Sequence, residues 1–190
     1  MFDYLAVLIS VVLGLAVTHI LSGVGGAINR RYKIRPDWVQ LFWGLNVLAY
    51  VLAVWWGMYW WKHLAVWTVQ EFAFLTGYAI VLFMMAATLF PGERGGEDDD
   101  PTSFWRNRRW FFGLLLAAHL IDIPETASKQ TAGLRAIVPQ YWVAGPAFIL
   151  IAIIGLVSTN RNVHRFLAPA WLTVLVSYEL FSALDQIVAR

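Results

Sequence analysis

The first third of the chain contains two long stretches with no formally charged side chain. The first runs from Tyr4 to Ile28 and the second from Trp38 to Trp61. A helix needs about 20 consecutive apolar residues to cross the hydrocarbon core of a bilayer, so each stretch is long enough to span it. Only 14% of the 190 residues are charged, whereas soluble domains carry about 25%. We therefore expect an all-α integral membrane protein and exclude a soluble enzyme.

Four further apolar segments complete a set of six predicted transmembrane helices. Three are expected over Val66–Phe90, Ala136–Thr159 and Phe166–Val188, and the fourth contains the shorter apolar run Trp110–Ile121. The fourth helix gives the weakest signal, because basic residues precede its short apolar run and acidic residues follow it. The first helix begins with Met-Phe-Asp and offers no basic segment before its apolar run, which predicts a retained helix rather than a signal peptide.

The Lys and Arg residues are unevenly divided between the predicted loops. The first, third and fifth loops hold ten of the fourteen, namely Arg30, Arg31, Lys33, Arg35, Arg94, Arg106, Arg108, Arg109, Arg161 and Arg165. Basic loops are retained on the cytoplasmic side, so both termini are predicted to be non-cytoplasmic. This pattern is typical of a multi-pass protein of a cell membrane such as the bacterial inner membrane. A net charge of +2 with scattered basic residues predicts no nucleic-acid partner.

Tryptophan is concentrated at the predicted outer ends of the second and third helices. The residues are Trp55, Trp56, Trp60, Trp61 and Trp67. Because amphipathic rings favour the membrane interface, we interpret most of the eleven tryptophans as anchors rather than as a ligand cage.

A shift of 100 residues aligns the two halves of the chain. His19 then meets His119, Gln40 meets Gln140, and His63 falls one position from His164. The spacing predicts a single membrane domain over 1–190, built from a three-helix half at 3–90 and a second at 104–190. Three crossings in each half give inverted repeats. Coincidental patterning in so apolar a chain is the alternative.

The connector between the halves, 91–103, is acidic and rich in Gly and Pro. Its acidic run 97–100 is interpreted as a solvated segment rather than a cation site. The three-plus-three plan resembles that of aquaporins in architecture alone, because the Asn-Pro-Ala motifs of that family are absent.

Small residues recur at every fourth position of the first helix. This small-residue ladder consists of Ser10, Gly14, Thr18, Ser22 and Gly26. Small residues let helices approach closely in lipid, so the ladder predicts a packing ridge inside the protomer or at a contact between copies. A narrow pore-lining strip is the alternative. On this basis we expect a homo-oligomer, with a second membrane protein as another partner that could use the ridge.

Ionisable residues lie at intervals of three in the fourth predicted helix. His119, Asp122 and Glu125 share one helical face, and Pro124 should kink the helix beside them. Carboxyl groups inside a bilayer are costly and commonly mark an ion or proton path. The alternative is that the helix ends near Ile121 and that the acidic residues begin an outer loop.

The sixth predicted helix repeats this pattern with Glu179, Ser182 and Asp185. Glu179 is the strongest candidate for a buried functional acid, whereas Asp185 lies close enough to the chain end to be interfacial. Glu71 in the third helix is as consistent with the interface as with the interior.

His19 and His119 are predicted in the middle third of their helices. Either they make interhelical hydrogen bonds, or they form part of a proton relay, or they ligate metal or haem. Without a closely spaced His motif the metal signal is weak, and cofactors stay undetermined. The absence of cysteine excludes thiolate metal sites and disulfides.

Three functional classes follow from these features. The favoured one is a channel or secondary transporter for protons, a small cation or a small polar solute, with a path built from His19, His119, Asp122, Glu125, Glu179 and Asp185. The second is a non-transporting assembly or sensory subunit whose buried polar groups only specify packing. The third is a membrane redox protein or a membrane-embedded enzyme, whose histidines hold haem or metal.

Overall fold

The computed structural model describes residues 2–28, 37–90 and 103–188, and for Ser103 and 185–188 it describes the backbone alone. These ranges contain six α-helices, as the sequence predicts: α1 (Phe2–Ile28), α2 (Trp38–Gly57), α3 (Val69–Leu89), α4 (Ser103–Thr131), α5 (Tyr141–Val157) and α6 (Arg161–Val188). A 3₁₀ helix over Met58–His63 extends α2. The basic residues of the first loop and most of the acidic connector lie outside the described residues.

Four of the described helices are long and apolar enough to cross a membrane. They are Phe2–Ile28, Trp38–His63, Val69–Leu89 and Arg161–Leu184. Helix α5 is apolar but has only 17 residues, and α4 has 29 residues with charged side chains at both ends. The chain is therefore a helical protein whose composition and helix lengths fit a multi-pass membrane protein.

Helix α4 does not end near Ile121, so that alternative is wrong. It continues past Pro124 to Thr131 and closes with Gly133 at a φ of +68°. The N–H of Leu134 donates to the carbonyl of Lys129 at 2.8 Å, and the N–H of Gly133 to that of Gln130 at 3.0 Å. This pair of bonds is the Schellman arrangement, which satisfies the last carbonyls and favours glycine in the left-handed region. Pro124 is exposed, so the carbonyl that its ring leaves without a helical donor is on the outer side of α4.

Helix α1 packs along α3 through one apolar face. That face repeats every three to four residues and consists of Leu5, Ile9, Leu13, Ala16 and Ile20, all buried. The small-residue ladder lies on another face: its first four members are exposed and Gly26 is partly buried. Most of the ladder thus faces away from the buried side of α1, although Ser10 accepts a hydrogen bond of 3.2 Å from the indole N–H of Trp55 on α2. The packing ridge stays a prediction.

The two halves of the chain share helix positions but not packing. Shifting α1, α2 and α3 by 100 residues overlays them on α4, α5 and α6. However, α1 packs chiefly against α3, whereas the main neighbours of α4 are α3 and α5. The duplication and its inverted topology stay predictions.

Five large rings fill the centre of the bundle between α2, α4, α5 and α6. This aromatic block consists of Trp43, Phe111, Phe112, Phe148 and Trp171, and all five are buried. The Trp43 ring lies 5.2 Å from both Phe111 and Phe112, and Phe148 lies 5.2 Å from Trp171, measured between ring centroids. Such tilted ring pairs add to the energy of burial.

The interpretation of tryptophans as anchors holds for only part of the set. Trp55 and Trp56 are exposed, but Trp43, Trp61 and Trp171 are at most 2% exposed. Trp61 was expected at the interface; it is buried because its indole N–H has a hydrogen-bonding partner inside the bundle.

Candidate polar chamber

One cavity of about 90 Å³ opens between the ends of α2, α3, α4, α5 and α6. We call it the polar chamber. Its polar lining consists of Tyr50, Tyr78, His119, Asp122, Glu125, Thr126, Lys129, Arg135, Tyr141, Tyr178 and Glu179. The cavity has room for a few water molecules or one small solute. Four of the six residues predicted from the sequence to form a path thus lie around the same space.

Glu125 is the buried acid of the chamber. Its Oε1 lies 2.6 Å from Nζ of Lys129, one turn along α4, and accepts a hydrogen bond of 2.8 Å from the indole nitrogen of Trp61. Both members of the ion pair are less than a tenth exposed. A buried carboxylate is tolerated when a cation and hydrogen bonds compensate it, so this end of the chamber is electrically balanced.

Asp122 stands on the same face of α4, one turn before Glu125. Tyr141, at the start of α5, lines the same cavity. Among the described residues no Lys or Arg nitrogen comes within ion-pair distance of this carboxyl. Asp122 thus differs from Glu125, whose carboxylate is paired with Lys129.

Glu179 and Arg135 lie at the rim of the chamber. Glu179 is exposed and not the buried acid expected from the sequence, because α6 turns this position outward at the bundle's surface. Arg135 follows the Gly133 turn, and its guanidinium lies 5.5 Å from the ring centroid of Trp60. It acts electrostatically on both Glu179 and Asp122. The rim thus carries both signs of charge.

The floor of the chamber is formed by His119 and two tyrosines. Nδ1 of His119 lies 3.3 Å from the hydroxyl of Tyr50, which lies 2.9 Å from the hydroxyl of Tyr78. On the other side, the indole nitrogen of Trp171 donates to Nε2 of His119 at 3.1 Å. The imidazole stacks on Phe148 at 4.8 Å with an interplanar angle of 7°. Below it lies the aromatic block, which closes the chamber at this end.

His19 lies away from the chamber. Its Nε2 is 2.5 Å from the carbonyl of Phe90, and Gln40 donates to the carbonyl of Leu89 at 2.6 Å. These two side chains satisfy carbonyls at the end of α3, which have no helical partner. His19 therefore fits the interhelical hydrogen-bonding interpretation. The side chain of Asp185 lies outside the described residues.

Glu71 also has a structural role. Its carboxylate accepts hydrogen bonds from the backbone and hydroxyl of Thr68, and the Thr68 hydroxyl accepts from the N–H of Gln70. This capping box satisfies the first N–H groups of α3.

His119 is poorly placed to ligate a metal. His119 has both ring nitrogens engaged, so ligation would break a hydrogen bond to Trp171 or Tyr50. Among the described residues no three His, Cys, Asp or Glu side chains form a cluster that could hold a metal ion.

Sequence reasoning missed most of the hydrogen-bonding groups of the chamber. Tyr50 and Tyr78 lie within apolar runs, where a phenol looks like any other aromatic residue. Lys129 could have been found, because it stands four residues after Glu125 and would pair with it on a continued helix. The alternative in which the helix ends near Ile121 leaves that spacing without meaning.

No protein-family model, curated protein or solved structure matches the chain. The functional argument therefore depends on the chamber itself.

Proposed function

We propose that the chain is a small membrane transport protein that moves protons, a small cation or a small polar solute by way of the polar chamber. The single observation that carries this proposal is the convergence of Asp122, Glu125, Glu179 and His119 from two helices on one cavity. Ionisable groups at membrane depth are functional by default, because they cost free energy that packing alone does not require.

A secondary transporter is favoured over an open channel. The chamber reaches the bundle surface near Glu179, but the aromatic block closes its other end at His119. A site that is accessible from one side only is what alternating access requires. With both termini on the outer side, as the basic loops predict, the chamber opens away from the cytoplasm.

The proposed path is narrower than the sequence alone indicates. It includes His119, Asp122, Glu125 and Glu179 but not His19, whose imidazole is hydrogen-bonded to the end of α3. The proposal does not require the inverted repeat, which would add a second, matching half to the transport path.

A non-transporting assembly or sensory subunit is the second candidate. The exposed small-residue ladder favours it, since this face of α1 could receive a helix of another copy or of a partner protein. A haem or metal protein is disfavoured by the hydrogen bonds at both nitrogens of His119. A Soret band in the absorption spectrum of the purified protein would restore that third class.

Flux into liposomes tests the proposal. The reconstituted protein should move protons, a cation or a small solute, and Asp122→Asn and Glu179→Gln should lower that flux. Asp3→Asn is the matched control, since Asp3 is an exposed carboxylate at the start of α1. Flux equal to that of empty liposomes for every ion and solute would favour the subunit.

A further inference from the structure

The hydrogen bonds at the chamber floor have a fixed direction. An indole N–H can only donate, so Nε2 of His119 must accept from Trp171 and can carry no proton in this arrangement. The imidazole is then neutral, with its single proton on Nδ1. A doubly protonated ring would set two N–H groups against each other.

The donor-to-acceptor direction of the hydrogen bonds is also fixed from His119 to the two tyrosines. Nδ1–H donates to the hydroxyl oxygen of Tyr50 at 3.3 Å. The hydrogen of Tyr50 then points to the oxygen of Tyr78, because otherwise it would have no partner among the described residues. A buried donor without an acceptor is costly.

The last hydrogen in the series belongs to Tyr78. Its oxygen already accepts from Tyr50, and the side chain lines the chamber. Asp122 lines the same chamber, and no hydrogen bond joins it to Tyr78 within the described part of the chain. A small solute that contacts both residues would meet an O–H donor at Tyr78 and a carboxyl group at Asp122.

We propose that Trp171, His119 and Tyr50 orient Tyr78 as the chamber's hydrogen-bond donor, so that the chamber selects a small solute bearing a hydroxyl or amide group. Such a group accepts from Tyr78 and donates to Asp122 at the same time. A bare alkali cation or ammonium ion has no lone pair to offer Tyr78. This inference rests on the proposed transport function and narrows its substrate class.

Solute flux tests the selectivity. Liposomes that contain the protein should take up glycerol or urea, and Tyr78→Phe should lower the protein-dependent rate by about threefold to tenfold, the effect of one neutral hydrogen bond. Ammonium uptake should not change. Tyr59→Phe is the matched control, since Tyr59 is exposed and outside the chamber. An equal loss for ammonium, or unchanged glycerol and urea uptake, would overturn the solute class.

The tautomer of His119 tests the series of hydrogen bonds from Trp171 to Tyr78 independently of transport. Nitrogen NMR of the ¹⁵N-histidine-labelled protein, assigned by the signal that His119→Gln removes, should show the neutral Nδ1–H form. Trp171→Phe should give a mixture of tautomers. An Nε2–H signal in the unmodified protein would contradict the proposed orientation of Tyr78 by this series. It would not affect the proposed transport function. The absence of flux for every solute and ion overturns both transport and the solute class.

Discussion

The indole nitrogen of Trp61 and the Oε1 atom of Glu125 lie 2.8 Å apart inside the bundle. Trp61 belongs to the 3₁₀ helix that follows α2, and Glu125 belongs to the last third of α4. Lys129 completes the contact at 2.6 Å from the same oxygen. The hydrogen bond from Trp61 to this ion pair therefore joins the 3₁₀ helix to the last turns of α4.

Removing the cation from this contact should be strongly destabilising. Lys129→Met leaves the Glu125 carboxylate buried without a counter-ion, and we expect the free energy of unfolding to fall by about 3–5 kcal/mol. Trp61→Phe removes only a hydrogen bond and should cost about 1–3 kcal/mol. Denaturant unfolding in mixed micelles measures both. Lys62→Met, at an exposed position, is the control, and a Lys129→Met protein as stable as this control would refute the structural role of the pair.

The aromatic block depends on the glycine that faces it from α5. A Cβ atom at Gly155 would overlap the ring of Phe112, which is fully buried and has no room to move. We expect Gly155→Ala to lower the free energy of unfolding by about 1–3 kcal/mol, the usual cost of overpacking.

Gly113→Ala provides the comparison for that substitution. A Cβ at Gly113 would meet no atom within 4 Å. Because alanine favours helix, this variant should gain up to about 1 kcal/mol. Equal effects of the two substitutions on the unfolding transition would contradict the packing seen at Gly155.

Gln40 should stabilise the end of α3. Its amide donates to the carbonyl of Leu89, and Gln40→Leu would leave this buried carbonyl without that partner. The expected loss is about 1–3 kcal/mol. Gln70→Leu, on an exposed turn of α3, should change the unfolding midpoint little. Because Gln40 does not line the chamber, flux per folded molecule should stay unchanged in either variant.

The small-residue ladder predicts self-association through α1. Gly14 is exposed with no atom within 4 Å of an added Cβ, so Gly14→Ile should leave the protomer's stability intact. It should instead separate the copies, which light scattering in detergent would record as a fall in mass. Ala170→Ile, at an exposed position of α6, is the control. A mass that Gly14→Ile leaves unchanged would show that the ladder contacts lipid only.

The sequence predicts the helices far better than their neighbours. The charge-free run from Tyr4 to Ile28 marks α1 to within two residues, because a membrane imposes both length and apolarity on a span. Which face of α1 packs cannot be read in the same way, since lipid and protein interiors are equally apolar. The exposure of the ladder follows only from the structure.

The chamber could be predicted in part for a similar reason. His119, Asp122 and Glu125 are conspicuous in an apolar chain, and their spacing places them on one side of α4. Lys129, which compensates Glu125, is on the same helix, but Trp61 comes from the 3₁₀ helix and the tyrosines Tyr50 and Tyr78 come from α2 and α3. Spacing within one helix carries no information about such contacts, and a tyrosine in an apolar run shows no sign that its hydroxyl is used.

The aromatic block also bears on the speed and lipid sensitivity of any transport cycle. Its rings interlock across four helices, so no single side chain can swing aside as a gate. Opening the chamber at the end next to this block would require α2 and α6 to separate from α4 and α5 as rigid bodies, on a microsecond to millisecond timescale. The tilt of those helices depends on bilayer thickness, so turnover should vary with the acyl-chain length of the surrounding lipids.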